Sequence, residues 1–291
     1  MLSLLDELVK LLSLEKIEEN LFRGQSQDLG WGTVFGGQVL GQALTAAGRT
    51  VPSDRHVHSL HAYFLRPGDV KAPIVYDVDR IRDGKSFTTR RVVAIQHGEP
   101  IFNLAASFQV PEPGFEHQEP MPQVPAPESL PTDQERLRAS SHRLPELLQR
   151  RAVADRPFEM RTTETDDPVA PAPGQPPERN LWFKAIHALP DDPAIHAALL
   201  AYASDYSFLT AALKPHGVGW LTPGMQVATI DHVIWFHQPF RVDQWLLHAI
   251  HSPVTHGARG LVRGRVYTRD GTLVVSTAQE GLVRRRVTTP P

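Results

Sequence analysis

Phe35–Gly48 reads FGGQVLGQALTAAG. Gly36, Gly37, Gly41, Ala43, Ala46 and Ala47 are small enough to let a helix backbone approach its neighbours closely. Each glycine costs an exposed helix roughly 1 kcal/mol against alanine. Close burial against a sheet would offset that cost. Four strand-like segments follow: His58–Leu65 (HSLHAYFL), Ala72–Ile81 (APIVYDVDRI), Ser86–Gln96 (SFTTRRVVAIQ) and Pro100–Gln109 (PIFNLAASFQ).

The series recurs downstream. Ala194–Lys214 predicts a helix broken near Ser204, and Val227–Phe236, Gln244–Ser252, Ala258–Thr268 and Thr272–Val283 predict strands in the same order. The last two strands of each set join through similar turns, His97-Gly98-Glu99-Pro100 and Arg269-Asp270-Gly271-Thr272. Asp-Gly is a strong hairpin signal. An internal repeat, helix plus strand meander, therefore organises the chain. One helix wrapped by a curled antiparallel sheet is the hot-dog arrangement. Two tandem copies predict an α+β double hot-dog.

Seven prolines lie between Pro111 and Pro131, and a second Pro-rich patch runs from Pro168 to Pro177. Proline removes backbone donors and disfavours helix in the residue before it. Between the patches, Gln134–Arg151 predicts a short helix. The expected division is an N-terminal half over 1–110, a connection over 111–179, and a C-terminal half over 180–291. Ahead of the first half, Leu5, Leu8, Val9 and Leu12 follow helical spacing, and Ser3 with Asp6 suits a capping box.

Composition removes several function classes. The 30 Lys and Arg against 32 Asp and Glu leave a net charge of −2, which argues against a nucleic-acid partner. No cysteine is present, so disulfides, thiolate nucleophiles, Cys-based zinc sites and iron–sulfur clusters are excluded. That composition fits the cytoplasm. No apolar run approaches the ~18 residues of a membrane span, so no stable membrane insertion is expected. Neither a metal nor a cofactor is expected.

EKIEENLFRGQSQDLG, VFGGQVLGQAL, HSLHAYFLRPGD, RDGKSFTTRRVVAIQ, YASDYSFL, ATIDHVIWFH and ARGLVRGRVYTRDGTLVVSTAQEG occur in this order. Together they resemble the acyl-CoA thioesterase II family of the bacterial TesB type, from near residue 15 to near residue 284. The resemblance implies a double hot-dog fold and hydrolysis of medium- to long-chain fatty acyl-CoA to fatty acid and CoA. It implies no metal and no covalent intermediate. It places the family's catalytic Asp on Asp205 in YASDYSFL, the Thr on Thr229 in ATIDHVIWFH and the Gln on Gln279 in STAQEG, all in the C-terminal half.

The residue types suit that chemistry. Without cysteine or a serine elbow, water must be the nucleophile, and a nearby carboxylate that takes its proton contributes roughly 10²–10⁴-fold. Asp205 stands in an apolar and aromatic stretch, where burial raises a carboxylate's pKa towards a useful base. By residue type alone, Asp205 reads first as the cap of a helix segment starting after Ser204, and the family resemblance reverses that order. Period-of-two alternation puts Thr229 and Asp231 on one strand face, and Gln279 with Thr277 and Val275 on another. Thr and Gln can orient a water without competing for its proton, or simply bond across strands.

The carbonyl oxygen needs donors as charge develops on it. Gly36 and Gly37 open the first helix, whose free N–H groups are candidates for substrate binding, with tight packing as the plainer reading. Gly36, Gly37 and Gln38 are expected roughly where Ser204 and Asp205 stand in the second half, leaving the first half without an acid. His58 aligns with Thr229 when the repeats are matched on His61 and His232, which makes it a candidate beside the site. His56 and His58 share a strand face that His61 does not, so a metal triplet is not expected.

Other motifs fall short. Gly84-Lys85-Ser86 reads as a tight turn rather than a phosphate loop, and Arg284–Arg286 as a solvated basic run. A hydratase wants an Asp–His pair on one helix segment, but Tyr206, Ser207 and Phe208 follow Asp205. An acyl-CoA sensor would need a partner-binding segment and would have no use for Asp205, Thr229 and Gln279 together. Exposed sheet edges suggest a homo-oligomer, a dimer or tetramer.

Overall fold

The computed structural model describes residues 3–144, 146, 149, 154–167 and 169–286. An N-terminal helix, α1 (Leu4–Leu12), starts on the expected capping box of Ser3 and Asp6. Two short strands, β1 (Glu15–Glu18) and β2 (Leu21–Gly24), lead to the small-residue helix α2 (Gly36–Gly48). The meander β3 (His56–Phe64), β4 (Ile74–Asp83), β5 (Phe87–Gln96) and β6 (Glu99–Gln109) then wraps around it. After a short helix α3 (Asp133–Ser140), the second half repeats the plan. It comprises β7 (Phe158–Thr162), β8 (Glu178–Ala185), α4 (Pro193–Ser204), α5 (Thr210–Leu213), β9 (Met225–Thr229), β10 (Asp231–Phe236), β11 (Leu246–His256), β12 (Arg259–Thr268) and β13 (Leu273–Arg285).

All strands join one sheet in the order β1-β2-β4-β5-β6-β3-β10-β13-β12-β11-β8-β7, with β9 also on β13. The pairing of β3 with β10 fuses the halves, with Asp231 opposite Tyr63 and Trp235 opposite Ser59. Strand order is mirrored about that seam, so β7 and β8 occupy the places that β1 and β2 hold in the first half. This is the double hot-dog.

The glycines of α2 serve a helix–helix contact as much as a sheet. A Cβ on Gly37 would sit 2.3 Å from the Tyr202 carbonyl oxygen, and one on Gly41 would sit 3.0 Å from that of Ala198. The helices α2 and α4 therefore cross antiparallel with backbones nearly touching. Both are buried almost all round, and their apolar residues form one continuous core with the sheet.

Three expectations change in detail. The strand expected over Val227–Phe236 breaks at Ile230 into β9 and β10. Thr229 pairs with Gly281 and Val233 with Ala278, a shift of one residue that marks a bulge. The connection is not wholly irregular, because Phe158–Thr162 adds β7 to the sheet edge. Its Pro-rich part is fastened to the second half by Trp182 Nε1 donating to Pro125 O and by Gln118, which bonds Gly271 and Leu273. The helix expected over Gln134–Arg151 is α3 followed by a 3₁₀ turn at Ser141–Arg143, and 145, 147, 148, 150 and 151 lie outside the described residues. Pro168, at the start of the second Pro-rich patch, also lies outside them.

Candidate active site

The helix α4 stops where its sequence changes from alanine and leucine to Ser204-Asp205-Tyr206-Ser207. Asp205 is the C-cap of α4, and Ser207 takes a left-handed φ of 56° that turns the chain towards α5. The capping reading is thus reversed in sense: Asp205 closes one helix and does not start the next. Tyr206 stacks on Phe35 with centroids 4.8 Å apart and donates to the Tyr202 hydroxyl, which packs the corner against the start of α2.

The three expected catalytic side chains converge on this corner. Thr229 Oγ1 donates to Asp205 Oδ1 over 3.2 Å, and Gln279 Nε2 donates to the same oxygen over 3.3 Å. Gln279 Nε2 also donates to Thr229 Oγ1 over 2.6 Å. The backbone N–H of Gly37 bonds the carboxylate as well. Because α2 and α4 run antiparallel, the start of α2 meets the end of α4, so Gly36 and Gly37 face Asp205 across the two halves. They do not occupy its equivalent place in the repeat, as the alignment had suggested. A Cβ on Gly36 would lie 2.7 Å from Asp205 Oδ2 and 3.0 Å from the Phe64 ring, so only glycine leaves this approach open.

Burial pushes the Asp205 carboxyl up to about 7, and the donors from Thr229, Gln279 and Gly37 hold it back from rising further. None of those donors is a full positive charge. The side chain still keeps part of its surface accessible, as does Thr229, whereas Gln279 is buried.

Behind Gln279 lies a residue that sequence reading used only as an alignment marker. His232 is fully buried, with Nδ1 3.0 Å from Gln279 Oε1 and Nε2 2.9 Å from Ser204 Oγ. Burial lowers its imidazole to about 4, so it is neutral. The bulge at Ile230 resets the alternation and puts Thr229 and His232 on the inner face. Asp231 instead accepts from the Glu280 N–H. Regular alternation had grouped Thr229 with Asp231, and a shift of one residue is enough to reverse that.

His58 is not at this site. Its Nε2 lies 2.8 Å from Ser107 Oγ and its ring sits edge-on to Phe87. It precedes Ser59, which pairs with Trp235. Trp235 is six residue steps from Thr229, about 20 Å at ~3.3 Å per residue. His61 meets Trp235 edge-on, and no metal-holding group of three or more His, Asp or Glu exists among the described residues. Gly84-Lys85-Ser86 forms the turn between β4 and β5, closed by Gly84 N–H donating to Phe87 O.

Comparison with known proteins decides the family. The acyl-CoA thioesterase family model matches residues 147–282, and the model for the acyl-CoA thioesterase N-terminal domain matches 26–109. The chain is 49% identical to acyl-CoA thioesterase 2 of Haemophilus influenzae over 284 residues, covering 98% of this chain and 99% of that one. The chain belongs to the acyl-CoA thioesterase family. It is 43% identical to acyl-coenzyme A thioesterase 8 of Homo sapiens, covering 94% of this chain and 87% of the human one. Among solved structures, acyl-CoA thioesterase II TesB2 from Mycobacterium marinum superposes with a TM-score of 0.78 at 40% identity, covering 96% and 98% of the two chains. Acyl-CoA thioesterases are hydrolases, and this chain is accordingly a thioester hydrolase.

Proposed function

We propose that this thioesterase hydrolyses medium- to long-chain fatty acyl-CoA to free fatty acid and CoA with a water activated by Asp205 and oriented by Thr229 and Gln279. The observation that carries the reading is a carboxylate held near neutrality by burial, bonded only by neutral donors at a partly open corner. Such a group is ionised often enough to take a proton and basic enough to keep it. Oδ1 is occupied by Thr229 and Gln279, which leaves Oδ2, beside Gly36 and Phe64, for the water.

In the reaction the water oxygen bonds to the thioester carbon while its proton passes to Asp205. The N–H of Gly36 has no acceptor within its own helix and lies at the positive end of α2, so it is the candidate donor to the developing oxyanion. Gly37, the other sequence candidate, has its N–H committed to Asp205. Collapse of the tetrahedral adduct breaks the C–S bond, and the departing thiolate takes the proton from Asp205 as CoA.

The same reading assigns catalysis to the C-terminal half over 180–291, with 1–110 as its scaffold and 111–179 as the connection that lends β7. It places the enzyme in the cytoplasm as a homo-oligomer, a dimer or tetramer. Two features support this: no cysteine occurs, and β1 and β7 end the sheet as open edges. Among the described residues no helix is long and apolar enough to cross a membrane. CoA release across acyl-CoAs of increasing length, run in ¹⁸O-water, tests the reaction. One ¹⁸O in the fatty acid is expected. No release at any length would replace the reading with an acyl-CoA-binding module.

A further inference from the structure

The amide of Gln279 can face the site either way round, and only one orientation suits a carboxylate. With Nε2 towards Asp205 and Thr229, the amide offers them its two N–H bonds at 3.3 and 2.6 Å. Reversed, its carbonyl oxygen would point at the Asp205 carboxylate, acceptor against acceptor. The correct orientation puts Oε1 3.0 Å from His232 Nδ1, so that nitrogen must carry the ring proton. A neutral imidazole has one N–H, so Nε2 is then the acceptor, and the Ser204 hydroxyl 2.9 Å away donates to it. Ser204 Oγ also lies 2.9 Å from the Ala201 carbonyl, an alternative acceptor for its one proton. If Ser204 spent its proton on Ala201, His232 would carry its proton on Nε2 and present a lone pair to Gln279. The amide would then reverse.

We propose that His232, set in its Nδ1–H tautomer by Ser204, is a positioning residue that locks the Gln279 amide with its N–H groups towards Asp205 and Thr229. Ser204 and His232 are both buried, so water does not compete for these bonds. The chain is continuous: Ser204 is the last residue of α4, His232 lies on β10 and Gln279 on β13. The helix that ends in Asp205 therefore also supplies the hydroxyl that sets the partner of that same carboxylate. The inference rests on the water-activation reading.

The test is kcat, KM and the pH midpoint of CoA release from palmitoyl-CoA for wild type, His232→Leu, His232→Asn and Ser204→Ala. The titratable groups around Asp205 are Tyr202 and Tyr206 from its own corner, His232 behind Gln279, and Asp231 on the adjoining strand. His232→Leu should lower kcat about 10–100-fold, the worth of a hydrogen bond to a charged group, with KM little changed. It should also move the midpoint upward, because Asp205 loses a donor that favours its ionised form. Asn keeps a donor near Nδ1 and should recover both kcat and midpoint. Equal slowing by Leu and Asn with an unmoved midpoint would mean packing alone and would overturn the inference, as would wild-type behaviour of folded His232→Leu. If His232→Leu does not fold, Ser204→Ala decides. A several-fold loss with an upward midpoint supports the lock, and wild-type values overturn it. Asp205→Asn in the same series separates the two claims. Its full activity sinks the hydrolytic reading together with the inference. Its inactivity beside a wild-type-like His232→Leu sinks the inference alone.

Discussion

The helices α2 and α4 are copies of one element, yet their C-terminal ends meet opposite charges. Where α2 ends, Thr50 is grasped by Arg90, whose guanidinium bonds Thr50 Oγ1 over 2.8 Å, Thr50 O over 3.0 Å and Asp83 over 2.6 Å. That cation is buried and fully matched, and Asp83 is held below the usual carboxylate range by it. Where α4 ends, Asp205 is met by neutral donors at 3.2 and 3.3 Å. The same scaffold thus holds a structural clasp in one half and an under-compensated acid in the other. The contrast isolates what the proposed base at the end of α4 depends on: burial without a countercharge.

Breaking the active end should have the largest effect. Asp205→Asn keeps the shape and removes the proton acceptor, so kcat/KM should fall at least ~10²-fold while thermal stability holds. A steady-state assay beside a melting curve checks both. Next comes the seam between the two helices. Gly37→Ala would push a methyl to 2.3 Å from the Tyr202 carbonyl, and backbone must move. A stability loss of about 2–4 kcal/mol is expected, with activity falling because Asp205 is displaced. Denaturant midpoints and rates read this together. The smallest effect should come from the structural end. Arg90→Met keeps much of the volume and loses the bonds to Thr50, for about 2 kcal/mol of stability. Its kcat below the melting transition should match wild type. A large loss of kcat in a folded Arg90→Met would show that the two ends are not independent.

Much of this was legible in the sequence, and the missing parts have identifiable causes. The helices and long strands announced themselves by small-residue content, alternation and the Asp-Gly turn. Asp205, Thr229 and Gln279 were reachable through family motifs, and the structure brings all three together. Strand β7 was hidden because it is five residues between two Pro-rich patches, too short for its alternation to stand out. The break at Ile230 was invisible because Val227–Phe236 reads as one uninterrupted strand with nothing in its residues to mark a bulge, and with it went the inward face of His232. His58 was misplaced for a related reason. Aligning repeats finds equivalent positions, and equivalent positions in a two-fold arrangement lie at opposite ends of the seam. The approach of Gly36 to Asp205 depends on the antiparallel crossing of α2 and α4, a tertiary fact with no local signature.

The central claim is that Asp205, caged by neutral donors, is the base. Its most direct test is the pH dependence of kcat/KM for the wild-type enzyme, measured from pH 5 to 9 beside Asp205→Asn. A base must be ionised, and the Asp205 carboxyl is held up to about 7. Activity should therefore rise about tenfold per pH unit below that value, bend near 7 and level off above it, and the residual activity of Asp205→Asn should lack this limb. A flat wild-type profile across the range, or the same limb surviving in Asp205→Asn, would contradict the account.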